Sequence, residues 1–152
     1  MILDSRASRT YAPWLWVLAI LFFGRVIAQV LVVFLNVTFL PPMQQWQSGL
    51  LPYPLLLASQ SLILTLLCKI AADFTRGEGF FVHPSRRAGK YLNVLGLIYL
   101  AGMGVRYVYT MSVHPERRWI LGTIPIVFHC VLATFILFVA AYHRRSGEEQ
   151  PN

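Results

Sequence analysis

The sequence predicts an all-α polytopic membrane protein: an antiparallel bundle of four transmembrane helices with both termini in the cytoplasm. Hydrophobic residues make up 57% of the 152 residues and charged residues only 12%, about half the charged share of a typical soluble domain. The apolar residues are gathered into four segments, each of roughly the 20 residues that cross a bilayer. We therefore expect a single membrane domain over residues 1–152.

The first apolar segment, residues 12–40, is longer than a bilayer requires. We expect its helix to span residues 12–38 and to leave the membrane near Asn36. It is too long for the apolar core of a signal peptide and no small-residue cleavage site follows it, so we expect it to be retained. The other helices are predicted at about residues 54–72, 91–111 and 119–142.

Basic residues are divided unevenly between the loops. The two tails and the second loop, residues 73–90, hold most of the Lys and Arg, whereas the first loop has none and the third has Arg117 and Arg118. The positive-inside rule then places the tails and the second loop in the cytoplasm, with the third loop as a mild exception. We expect a plasma or inner membrane and contact with anionic lipids at the cytoplasmic face. Within the second loop, Phe80 and Phe81 form either an interfacial anchor or part of an ordinary loop.

Arg25 lies near the middle of the first predicted helix. Gln29 follows after one turn and Asn36 after three, so the three polar side chains share one face. An arginine at the bilayer centre costs at least about 2.5 kcal/mol on the most lenient scale, and a guanidinium does not give up its proton in a protein. Something in the bundle must therefore stabilise Arg25.

Each of the other three predicted helices also carries a polar residue at similar depth. Counting about 1.5 Å per residue, these residues fall between the midplane and the outer face, and polar residues in membrane helices usually face the interior. Arg106 is nearer its helix end, and for it we favour a side chain that extends to the outer surface over one that faces the bundle interior. The predicted ligand-binding residues are Arg25, Gln29, Gln60, Arg106 and His129.

Small residues indicate where helices are expected to approach closely. Gly122, Pro125, Ala133 and Ala140 share a face of the fourth helix with His129. On the third helix, Gly102 is one turn before the arginine at position 106 and is expected to leave space for its side chain.

All six acidic residues fall in tails, loops or helix ends, so none is predicted at the depth of Arg25. Three ways of stabilising this arginine stay open. Neutral acceptors such as Gln29, Gln60 and main-chain carbonyls can bond it. An anion, either a lipid phosphate or a ligand carboxylate, can bind it bidentately. An acidic group on a partner protein can pair with it.

Several kinds of chemistry are disfavoured. Cys68 and Cys130 show no metal-binding spacing and are expected to be small core residues. Only His129 of the four histidines is predicted well inside the membrane, whereas a haem between helices is commonly held by two facing ligands. No P-loop, zinc-protease, serine-hydrolase or dinucleotide motif is present. We predict no metal, no cofactor and no nucleic-acid partner. The polar residues in the predicted helices are compatible with a bound lipid or quinone.

These features favour a non-catalytic membrane protein that is an accessory or assembly subunit of a larger membrane complex, or a homo-oligomer. Its polar site would bind a lipid, a quinone-like ligand or a partner's acidic group. The alternative is a small membrane-embedded enzyme or carrier for an amphiphilic anion, in which Arg25 and Arg106 hold the anionic head and His129 transfers a proton. A proton-coupled exporter is disfavoured because the predicted spans carry no carboxylate relay.

Overall fold

The computed structural model describes residues 2–35, 37, 39–41, 52–113 and 123–146, with the main chain alone for residues 2–6. Every regular element in these ranges is helical. The elements are α1 (Ile2–Leu35), α2 (Tyr53–Arg76), a 3-10 helix (Phe80–Val82), α3 (Arg86–Val113) and α4 (Ile124–Ser146). Each of the four α-helices contains a stretch long and apolar enough to cross a membrane. The prediction of an all-α chain with four helices long and apolar enough to span a membrane is therefore confirmed.

The helices differ from the predicted ranges mainly at their ends. α1 begins at Ile2 rather than at residue 12, and α2 continues to Arg76. The loop expected over residues 73–90 is shorter, residues 77–85, because α2 ends at Arg76 and α3 begins at Arg86. Gly77 ends α2 in the left-handed conformation, with φ 77° and ψ 18°, and its N–H donates to Asp73 O at 2.9 Å, as in a glycine C-cap.

Three of the predicted features lie outside the described residues. These are the end of the first span at Asn36, the uncharged first loop over residues 42–51, and the third loop with Arg117 and Arg118. The first residues of the fourth predicted helix, 119–122, lie outside them as well.

α1 packs against α2 in an antiparallel pair. Just before the middle of α1, Trp16 Nε1 donates to Thr75 Oγ1 near the end of α2 at 3.0 Å. Near the end of α1, the Phe34 ring packs edge-on against Tyr53 at the start of α2, with 6.3 Å between the ring centroids. These two contacts fix the register: Gln60 lies at the height of Ala28 and Gln29.

α4 packs on another side of α1, and α3 packs against α4. The principal contacts therefore follow the order α2, α1, α4, α3. Tyr11 of α1 contacts Tyr142 near the end of α4, with 6.0 Å between the ring centroids, which makes this pair antiparallel too. α3 is antiparallel to α4 and buries only Gly89 and Gly96, so most of its surface is exposed. The core lies around α1 and includes Leu15, Phe22, Ala71, Phe74, Phe135 and Tyr142.

α1 and α3 begin, and α2 and α4 end, at the same end of the molecule. We call it the basic end after its exposed residues Arg9, Arg76, Arg87, Lys90 and Arg144, and we call the opposite end the far end. The short 3-10 helix closes the basic end and leaves Phe80 82% exposed, while its last residue, Val82, is buried.

Candidate functional site

Arg25 lies on α1 ten residues before the helix ends at Leu35, which is a depth of about 15 Å along the helix axis. Its side chain is 7% exposed, and its Cζ lies 5.4 Å from the centroid of the Phe128 ring on α4. A cation over an aromatic face is stabilised by about 2 kcal/mol when water is excluded. Phe128 therefore supports the buried charge from the neighbouring helix.

His129 follows Phe128 on α4 and joins the site to α3. The hydroxyl of Tyr99 on α3 lies 2.6 Å from His129 Nδ1, and the two rings meet edge-on with 5.8 Å between their centroids. Arg25 and Arg106 both lie close enough to His129 for their charges to act on its imidazole. Three of the residues predicted for the site, from three different helices, thus lie in one electrostatic neighbourhood around His129.

Arg106 is half-buried on α3. Its charge reaches His129, so the guanidinium is part of the same electrostatic neighbourhood as Arg25. The expectation that Gly102 makes space for this side chain was wrong. Gly102 is exposed, and a Cβ added there would meet nothing within 4 Å.

The two predicted glutamines lie on α1 and α2. Gln29, one turn beyond Arg25 on α1, is fully buried, and Gln60 on α2 is 3% exposed. The α1–α2 register puts the two glutamines at the same height, one turn (about 5.4 Å) closer to the far end than Arg25. Neither side-chain polar atom of Gln60 has a hydrogen-bond partner among the described residues.

Tyr99 and Phe128 are members of the site that sequence reasoning missed. A signal for Tyr99 was present, since it lies seven residues before Arg106 and therefore on the same face of α3. Nothing in the sequence distinguishes Phe128 from the other apolar residues of α4. Its role depends on which residue of α1 lies opposite it.

Positive charge dominates this part of the molecule. Asp73 and Glu78 are the acidic residues with described side chains, and both lie at the basic end. The buried Asp73 carboxylate forms an ion pair with Lys69 one turn earlier in α2. Along α2, Asp73 is thirteen residues from Gln60, or about 20 Å, so this carboxylate does not belong to the site.

The arrangement is suited to binding an anion and to moving a proton. Two guanidinium groups offer paired donors that match the oxygens of a phosphate or carboxylate. Beside them, the Tyr99 hydroxyl and the His129 imidazole share a hydrogen bond, and both are groups that can donate or accept a proton. Among the described residues there is no cluster of three or more His, Cys, Asp or Glu that could hold a metal ion.

The chain was compared with models of protein families, with curated proteins and with solved structures, and it matches none of them.

Proposed function

We propose that the protein is a non-catalytic integral membrane protein that binds the anionic head of an amphiphile between its helices. Its site consists of Arg25, Arg106 and His129, with Gln29 and Gln60 one turn nearer the far end. In this role it serves as an accessory or assembly subunit of a larger membrane complex, holding a lipid at a defined place.

The observation that carries the proposal is a buried guanidinium, Arg25, packed over Phe128 and beside His129 inside four apolar helices, with the charge of Arg106 acting on the same histidine. Like charges repel strongly where the effective dielectric constant is low. An anion between them replaces this repulsion with attraction and accepts hydrogen bonds from both guanidinium groups.

The burial of Arg25 favours a lipid anion over the other two ligands considered from the sequence. A rigid helix of a partner protein cannot bring a carboxylate to a side chain that is 7% exposed unless α1 and α4 separate. A quinone is neutral and leaves the repulsion between the arginines in place. A lipid phosphate on flexible acyl chains also needs the helices to separate, but by less than a whole partner helix requires, and it supplies a negative charge.

For the orientation, we propose that the basic end faces the cytoplasm. The exposed Lys and Arg of the described residues are concentrated there, in agreement with the positive-inside rule. The site then draws its lipid from the outer half of a plasma or inner membrane.

The test is to purify the full chain in mild detergent and identify the bound lipids and proteins by mass spectrometry. We expect an anionic lipid to be retained by the wild-type protein and its affinity to fall by on the order of 10- to 100-fold in Arg25→Gln and Arg106→Gln, because each loses a charge-assisted hydrogen bond. Arg87→Gln, which removes an exposed charge at the basic end, is the matched control. Equal lipid retention by all four proteins, or none by any, would contradict the proposal.

The second candidate is a small membrane enzyme acting on the same kind of amphiphile, and the 2.6 Å contact between Tyr99 and His129 favours it. Here His129 would transfer a proton while the arginines hold the anionic head. Wild-type protein and His129→Ala are incubated with anionic lipids, and products are sought by mass spectrometry. Product formed by the wild type alone supports the enzyme. Unchanged lipid with both proteins, together with normal assembly of His129→Ala, supports the subunit.

A further inference from the structure

Gln60 is an anomaly in the described part of the chain. It lies inside a membrane-spanning helix, is 3% exposed, and neither Oε1 nor Nε2 has a hydrogen-bond partner among the described residues. An amide buried in an apolar medium without hydrogen bonds is strongly destabilising. Such groups are rare in folded proteins, and each one calls for a specific partner.

A second polar atom on α2 is in the same position. The hydroxyl of Tyr53 is buried and has no hydrogen-bond partner in the described ranges. Tyr53 precedes Gln60 by seven residues, so the two side chains lie on the same face of α2, about two turns apart. Together they form a polar row that runs from the far end of α2 to within one turn of the height of Arg25.

The chemistry of the amide limits what can satisfy it. Oε1 only accepts hydrogen bonds and Nε2 only donates them, so the group that meets both must donate and accept at once. A hydroxyl does so. A quinone carbonyl or an esterified phosphate only accepts, and would leave Oε1 without a partner.

From this row we infer that the site selects an anionic lipid whose head carries free hydroxyl groups, such as phosphatidylglycerol. The inference rests on the proposed function. Arg25 and Arg106 bind the phosphate, and Gln60 binds a hydroxyl of the headgroup one turn nearer the far end. The charge sets the affinity of the site, and Gln60 sets its preference among anionic lipids.

The experiment compares two lipids of equal charge, phosphatidylglycerol and phosphatidylmethanol. The second replaces the glycerol head with a methyl group and has no headgroup hydroxyl. The full chain is equilibrated with both lipids in mixed micelles at equal mole fraction, and the retained lipid is measured by mass spectrometry. We expect the wild type to retain phosphatidylglycerol on the order of fivefold over phosphatidylmethanol, as expected for one neutral hydrogen-bonding group.

Gln60→Met is the decisive variant because methionine is unbranched and of similar length. It should bind phosphatidylmethanol as well as the wild type does and lose the preference for phosphatidylglycerol. Arg25→Gln should lose both lipids. Equal retention of the two lipids by the wild type, with both lost in Arg25→Gln, would overturn the inference and leave the proposed function standing. Failure of the wild type to retain either lipid would overturn the proposed function itself.

Two further measurements separate the lipid from other partners of Gln60. In lipid-free detergent, Gln60→Met should melt at the wild-type temperature or above it, since replacing an unbonded amide by an apolar group removes a penalty. A lower melting temperature would show that Gln60 bonds within the protein and would overturn the inference. Soluble glycerol 3-phosphate should not displace phosphatidylglycerol at equal concentration. Displacement would show that the site takes the free headgroup compound, against the lipid assignment.

Discussion

The hydroxyl of Tyr99 lies 2.6 Å from Nδ1 of His129, and this contact joins α3 to α4 beside the arginines of the site. It matters for the fold because α4 is the principal neighbour of α3 and only Gly89 and Gly96 of α3 are buried. The same pair therefore positions the imidazole and helps to hold α3 against the rest of the molecule.

Replacing Tyr99 by Phe removes this hydrogen bond and should lower the free energy of unfolding by about 1 kcal/mol. The measurement is thermal unfolding of the purified protein in detergent, with hydrogen exchange of α3 as a second readout. Tyr109→Phe on the same helix is the control, since Tyr109 is 68% exposed. If the two variants behave alike, the contact does not hold α3 in place.

The close approach of α3 and α4 near the basic end predicts a contrast between two glycines. A Cβ added at Gly89 would lie 3.0 Å from the main-chain nitrogen of Arg144, which cannot move without shifting α4. Gly89→Ala should therefore lower the melting temperature and loosen α3. Gly102→Ala, where the added Cβ meets nothing, should be neutral or stabilise the protein by up to about 1 kcal/mol through helix propensity. Equal effects in thermal unfolding would contradict this packing.

Position 79 requires glycine for two reasons, its backbone conformation and the close approach of the Asp73 carboxylate. Its φ of +121° is rarely adopted by residues with a side chain, and an added Cβ would lie 2.5 to 2.8 Å from the carboxyl atoms of the buried Asp73. Gly79→Ala should destabilise the basic end by roughly 1–3 kcal/mol. Gly77→Asn serves as the control because asparagine tolerates the left-handed conformation of a helix cap. A loss of thermal stability no larger than that of the control would argue against the strain.

Tyr142 anchors the loop between α2 and α3. It is fully buried, and its hydroxyl donates to Val82 O at 2.7 Å. Tyr142→Phe should reduce the free energy of unfolding by about 1 kcal/mol and make residues 77–85 more sensitive to limited proteolysis. Tyr91→Phe, at a tyrosine that is 77% exposed, should change neither. Unchanged cleavage of the loop in Tyr142→Phe would show that the hydrogen bond does not hold it.

The sequence alone was sufficient to predict four spans and the polar face of α1. Membrane-spanning segments are set by composition over a window of about 20 residues, and a helical face follows from spacing along one element. For that reason the four-residue spacing of Arg25 and Gln29 is enough to place them on one face of α1, and both side chains are buried.

Contacts between helices were decided only by the tertiary structure. That Phe128 lies under Arg25, that Tyr99 meets His129, and that Gln60 is buried without a described partner all depend on helix order and register. The order α2, α1, α4, α3 is not encoded in the periodicity of any one helix, because apolar faces of similar composition can pack in several arrangements. The sequence thus determined which elements are long and apolar enough to cross a membrane and which of their faces are polar, whereas packing between helices determined which polar groups meet.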